Sequence, residues 1–239
     1  MKRCILLFTF LLTLLTGFFT YSVDSFGQSL PFGSGQQDPL KEDQGLFNGR
    51  EWFNHYYYVR GDQFLFSKIY LTGSLSMNGK TYNNIGINYD IYNDEIITKT
   101  NLGNLLQLNK EMVDSFTLVY GIDKYRFINI KIDSIKGVKG YVNILYEGNS
   151  ALFVKYKKEI ELLAVDDKFD LFYQTYKILL VKDGIANQIN NKSDLLKVLY
   201  DKKVQIKEFI KRNKFKFSKK DPQSIIPVVR YYDTLRKLN

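Results

Sequence analysis

Between about residue 50 and residue 190, turn signals recur every 10 to 15 residues, and the segments between them alternate in polarity instead of repeating at helical spacing. Asn78-Gly79 separates SLSM from KTY, and a two-residue type I′ turn needs positive φ at both positions, which Asn and Gly tolerate best. Ile87, Tyr89 and Ile91 alternate with Asn88 and Asp90, and Asn93-Asp94 then turns the chain into EIIT. Phe116, Leu118 and Tyr120 alternate before Gly121. KYRFINIKI, GYVNILYEG, ALFVKYKKEIELL and FYQTYKILLVKDG follow, broken at Gly137/Gly140, Gly148-Asn149, Asp166-Asp167 and Asp183-Gly184. With no helix between strands, βαβ units are excluded. The expectation is an α+β, mainly β chain: an antiparallel β-meander of about eight to ten strands, an open curved sheet or barrel-like, followed by C-terminal helices. YVNILY and KILLV are apolar on both faces, so part of the sheet needs cover on its second side.

The last 47 residues supply that cover. Leu195, Leu196, Leu199, Ile206, Phe209 and Ile210 recur at helical spacing after a candidate N-cap at Ser193, and the spacing predicts one helix to about Asn213. Asp221-Pro222 or Pro227 then opens a last helix carrying Val229, Tyr232 and Leu235. Charge divides at the same place. Residues 28–192 hold 19 basic and 19 acidic side chains, whereas residues 193–239 hold 13 and 5. Lys203, Lys207, Lys211 and Lys214 fall on the side away from the apolar positions and form a stripe that suits either a solvated helix face or an anionic membrane surface.

Residues 1–27 have the layout of a secretory signal peptide. Met1-Lys2-Arg3 is basic, Ile5–Thr20 is almost uninterruptedly apolar or small, and Ser25-Phe26-Gly27 offers a cleavage site. A flexible leader over 28–49, the β domain over 50–190 and the basic helical segment over 191–239 complete the expected organisation. Export to the periplasm or beyond excludes ATP chemistry and argues against nucleic acid. Cys4 is the only cysteine and leaves with the signal, so disulfides, thiol catalysis and a sulfur-linked lipid anchor are not expected.

Candidate chemistry is sparse, and no cofactor is expected. Gly73 to Thr81 looks like a phosphate loop but has five residues between its glycines, and it leads into a strand. His55 is the only histidine, which excludes two-histidine zinc sites, and no G-x-S-x-G motif accompanies it. Glu159 and Glu161, or Asp166 and Asp167, could serve a carboxylate-dependent glycoside hydrolase if they shared a cleft. The run from Trp52 to Tyr58 is the best candidate surface. As a strand it would point aromatics to both faces, leaving Trp52, Tyr56, Tyr57 and Tyr58 to stack on a ligand, contact a partner or pack against the helices.

With Asn78-Gly79-Lys80, Asn88-Tyr89-Asp90, Tyr146-Glu147-Gly148 and Val229-Arg230-Tyr231-Tyr232-Asp233, the chain resembles a group of uncharacterised exported proteins of Bacteroidetes. The resemblance implies a Gram-negative envelope setting and no particular activity. The expected function is a non-catalytic binding or structural module with a protein, glycan or lipid partner in the envelope. The alternatives are a lipocalin-like carrier of an apolar ligand and the carboxylate-dependent hydrolase.

Overall fold

The computed structural model describes residues 45–237; Cys4, the expected signal peptide and most of the expected leader lie outside the described residues. Eleven strands build one sheet: β1 (Gly49–Glu51), β2 (Leu71–Met77), β3 (Lys80–Asp90), β4 (Glu95–Lys99), β5 (Leu105–Leu108), β6 (Val113–Tyr120), β7 (Asp123–Ile130), β8 (Gly140–Glu147), β9 (Ala151–Val165), β10 (Phe169–Lys182) and β11 (Ile185–Gln188). All neighbours are antiparallel, in the order β1-β5-β4-β3-β2-β6-β7-β8-β9-β10-β11. Two meanders therefore share β2, which pairs with β3 on one side and β6 on the other. The hairpin turns read from sequence are present. Asn78 and Gly79 have φ of 51° and 76°, and Asp183 and Gly184 have 51° and 74°.

The sheet remains open, with β1 and β11 as its edges, but it curls until the Lys158 N–H on β9 donates to the Ile91 carbonyl just beyond β3 at 3.2 Å. Aromatic side chains fill the concave side. Phe116 and Phe127 stack with ring centroids 4.6 Å apart, and Tyr89 stands edge-on to both at 5.2 and 5.4 Å. Tyr141 closes the cluster from β8, and all four are buried. The interior that a carrier would leave hollow is thus packed with rings.

The two-sided strands are covered as their composition requires. Leu152, Ile178 and Leu180 pack against α1 (Lys192–Val198), α2 (Lys203–Arg212) and α3 (Ile226–Lys237). On the opposite face, Val142, Phe153, Leu179 and Val181 meet Ile135 and Val138 of the β7–β8 loop. Two helical details differ from expectation. The single helix from Ser193 is broken by a 3₁₀ turn at Tyr200–Lys202, which brings Asp201 to the Tyr232 hydroxyl at 3.0 Å. The N-cap is Asn191, whose Oδ1 accepts from the Asp194 N–H at 3.0 Å. The last helix begins as a 3₁₀ turn at Pro222–Ile225 and runs on into α3.

One polar contact fastens helix to sheet. Asp233 of α3 is 3% exposed, and both carboxylate oxygens accept from the Ser150 N–H in the β8–β9 turn, at 3.1 and 3.0 Å. The Tyr146 hydroxyl donates to the same group at 3.0 Å. Gly148 makes room for it, since a Cβ there would stand 2.4 Å from Asp233 Oδ2. Two sequence segments far apart in the chain, Tyr146-Glu147-Gly148 and the terminal Tyr231-Tyr232-Asp233, therefore meet in a single clasp.

Candidate functional site

Trp52 to Tyr58 is not a strand. After Glu51 only the Trp52 N–H continues the pairing, donating to the Leu105 carbonyl at 2.9 Å, and the chain then leaves the sheet. Residues 52–70 form an irregular strap rich in turn formers (Asn54, Gly61, Asp62, Ser67), which explains the missing ladder. The strap is held at several points. Leu65 N–H donates to the Tyr89 carbonyl at 3.0 Å, Ile91 N–H to the Gln63 carbonyl at 3.0 Å, and Phe172 N–H to the Arg60 carbonyl at 3.0 Å. Lys158 Nζ reaches the Asp62 carboxylate at 2.9 Å.

Part of the strap covers the side of β3 and β5 that bears Asn88 and Leu105, while Phe64 bridges to Asp90 and Arg60 to Leu171. Strand alternation sends Ile87 and Tyr89 into the curl, and so turns Asn88 and Asp90 outward. Both polar positions are buried, at 4% and 0% exposure. Asp90 accepts from the Tyr92 N–H, the Asn93 N–H and Asn93 Nδ2, each at 2.9 Å, and so fixes the β3–β4 turn. Tyr56 leans on that turn, its ring edge-on to Tyr92 at 5.1 Å and to Phe172 at 5.6 Å. Burial pushes the Asp90 carboxyl up, the three hydrogen bonds pull it back, and the balance leaves it at about 6. A carboxyl raised on folding gives stability that is complete below its unfolded value near 3.8 and is lost as pH rises through about 6. Asp90→Asn keeps an acceptor for the backbone N–H groups. It should therefore be more stable than wild type at pH 7.5, by on the order of 2 kcal/mol, with the gap closing by pH 3.5. Urea midpoints at the two pH values measure this. A wild type that is the more stable at pH 7.5 would show that the ionised carboxylate supports the turn.

Three adjoining hollows open along the strap. One of about 260 Å³ is bordered by Trp52, His55, Tyr56, Glu95 and Gln107. The second, about 380 Å³, lies between the strap and that side of β3 and β5. Trp52, Tyr56, Phe64 and Tyr70 wall it, Asn88 and Leu105 floor it, and Lys68 and Tyr57 stand at its rim. The third, about 810 Å³, is open and bounded by Tyr57, Tyr58, Arg60, Lys68, Lys168 and Phe169. Burial pushes the Tyr70 hydroxyl up to about 12, so it stays protonated and able to donate. Asn88 Nδ2 is buried without a hydrogen-bond partner among the described residues.

The structure thus spreads the four aromatic candidates along the three hollows, Trp52 and Tyr56 lining the first two, Tyr57 the second and third and Tyr58 the third, with different exposures. Trp52 and Tyr56 are half-buried walls, whereas Tyr57 is 84% and Tyr58 59% exposed, their rings edge-on at 5.5 Å. None of the four packs against the helices. His55 is an exposed strap residue. Asp166 and Asp167, with φ of 53° and 50°, form the β9–β10 turn, and Glu159 lies on an exposed strand face beside Lys157 and the Tyr173 hydroxyl at 2.7 Å. Lys203, Lys207, Lys211 and Lys214 are all exposed, the first three at four-residue intervals along one side of α2. Sequence reasoning missed Asn88, Gln63, Lys68 and Tyr70, because their role depends on where the strap lies. Among the described residues, no group of three or more His, Cys, Asp or Glu side chains could hold a metal ion, and no helix is long and apolar enough to cross a membrane. No family model, curated protein or solved structure matches the chain.

Proposed function

We propose that this chain is an exported, non-catalytic binding module of the cell envelope, which engages a ligand or partner through the aromatic strap. The observation that carries the reading is the concentration of exposed apolar surface there. Phe53, Tyr57 and Tyr58 are each more than half exposed, and Leu162 (74%) and Leu163 (56%) are exposed near the tip of β9, with Leu163 and Phe169 bordering the open hollow. Large apolar side chains left wet together around hollows mark recognition surfaces more often than chance. The ring cluster packed inside the curl supports the strap over the internal site of a lipocalin-like carrier.

A second surface accompanies it. The exposed lysines of α2 and the residues just after it are suited to anionic membrane, whose attraction is on the order of 1 kcal/mol per charge and fades with salt. One sedimentation assay with Gram-negative envelope membranes separates the two contributions. Phe53→Ser/Tyr57→Ser/Tyr58→Ser should lose most of the binding that persists at high salt, by tenfold or more. Lys203→Gln/Lys207→Gln/Lys211→Gln/Lys214→Gln should lose only the salt-sensitive part. Unchanged binding of the aromatic variant, or turnover of an envelope component by the wild type, counts against the reading.

A further inference from the structure

We propose that the 380 Å³ hollow beneath the strap is a carbohydrate subsite that takes one pyranose ring of an acidic glycan, the ring against the aromatic walls, an oxygen on the Asn88 carboxamide and the carboxylate toward Lys68. This assigns a ligand class to the binding reading above and rests on it.

The starting observation is Asn88. It occupies a strand position that Ile97 flanks across the ladder, it is 4% exposed, and its Nδ2 finds no hydrogen-bond partner among the described residues. A buried amide donor left unmade costs about 1–3 kcal/mol, so a fold with no use for it does better with an apolar side chain of the same shape. Asn88 also floors a hollow whose volume falls within the range of small-molecule sites. Asn88 lines that hollow, so a small rotation of its carboxamide would present the unpaired donor to a ligand that brings an acceptor oxygen.

The walls narrow the class. Trp52, Tyr56, Phe64 and Tyr70 give the hollow an aromatic lining, with Trp52 and Phe64 tilted 49° to each other at 5.9 Å. Ring faces are electronegative and pack against the polarised C–H face of a sugar, while Asn88, the Tyr70 hydroxyl and the Lys68 ammonium all donate. A purely apolar ligand would leave those donors dry and unpaired, and a cation would meet Lys68. A ring with hydroxyls along its edge satisfies both the faces and the donors.

Charge selects among sugars. Lys68 stands at the rim shared with the 810 Å³ hollow, where Arg60 and Lys168 outnumber Asp170. Arg60 lies over the Phe169 ring at 4.2 Å, and Asp170 already accepts from the Leu163 N–H at 3.0 Å. An acidic chain leaving the pocket over Tyr57 would pass along this cationic, aromatic-lined surface.

Trp52 is the only tryptophan in the chain and it lines the pocket, so its emission reports occupancy directly. Methyl glucuronide, methyl glucoside and cyclohexanol are titrated into the full chain at low salt. The glucuronide should give a saturable change in emission, with affinity at least threefold above the glucoside and well above cyclohexanol. Lys68→Gln should bring the two sugars to the same affinity. Asn88→Leu should lower both at least tenfold without lowering the thermal midpoint. The proposal falls if neither sugar changes the emission, if cyclohexanol binds as well as the sugars, or if Lys68→Gln leaves the preference intact. It falls equally if a folded Asn88→Leu binds as the wild type does. When the sugars fail but the aromatic triple variant still loses envelope binding, only the ligand class is wrong; when both fail, the binding reading fails with it.

Discussion

Replacing Asp94 by alanine should lower the stability of the β domain by on the order of 4 kcal/mol. Asp94 sits in the β3–β4 turn at φ 60°, and its carboxylate accepts from Lys110 Nζ at 2.6 Å, Lys155 Nζ at 2.9 Å and the Tyr89 hydroxyl at 2.6 Å. Burial pushes this carboxyl up, but the two ammonium groups and the phenol outweigh it and hold it below its ordinary range. Lys155 is itself drawn down by burial, with Asp94 opposing. The network thus gains less than its contacts suggest while intact, and costs most when one partner is removed. Alanine would strand two ammonium groups beside the ring cluster and place a Cβ without polar compensation in the left-handed region. Asp94→Asn keeps the turn conformation and one acceptor, and should cost about half as much. Because the folded carboxyl is depressed, its contribution is present above the ordinary carboxylate value near 3.8 and is lost as pH falls below it. Urea unfolding of both variants between pH 3 and pH 7 checks magnitude and sign together. A wild-type advantage that does not shrink on acidification would place the effect in turn geometry alone.

Asp233→Ala should cost on the order of 3 kcal/mol and act at a distance from the mutation. The substitution leaves the Ser150 N–H and the Tyr146 hydroxyl without their acceptor at the seam between α3 and the β8–β9 turn. Hydrogen exchange should therefore quicken first in α3 and at Ser150, while β3 and the strap keep their protection. Uniform acceleration throughout the chain would mean that the clasp is part of one indivisible core.

What could be read from the sequence follows from what is local. A type I′ turn is a two-residue property, so Asn78-Gly79 and Asp183-Gly184 announced their hairpins. The two-sided strands and the apolar spacing from Leu195 to Ile210 likewise foretold that helices would cover the sheet. The shortest strands, β1, β5 and β11, have three or four residues, too few for alternation to register, which is why eleven strands stand where eight to ten were expected. The strap escaped for a different reason. Its aromatic run has strand composition, and only contacts with β3, β9 and β10 decide that it stays irregular and meets the sheet through isolated bridges at Arg60 and Phe64. Asn88 and Asp90, the polar positions of the β3 alternation, are buried with it, Asn88 beneath a hollow and Asp90 in the β3–β4 turn. Asp94 is likewise opaque in sequence, because Lys110 and Lys155 reach it from 16 and 61 positions away.

The claim that the strap is where this protein binds can be tested without knowing the ligand. Hydroxyl-radical footprinting of the full chain, alone and mixed with envelope material, reads side-chain accessibility one residue at a time. Binding through the strap predicts strong protection of Phe53, Tyr57 and Tyr58, with Tyr200, 72% exposed beside the helices, oxidised as before. Equal oxidation of the three strap residues in both conditions, or protection of Tyr200 in their place, would contradict it.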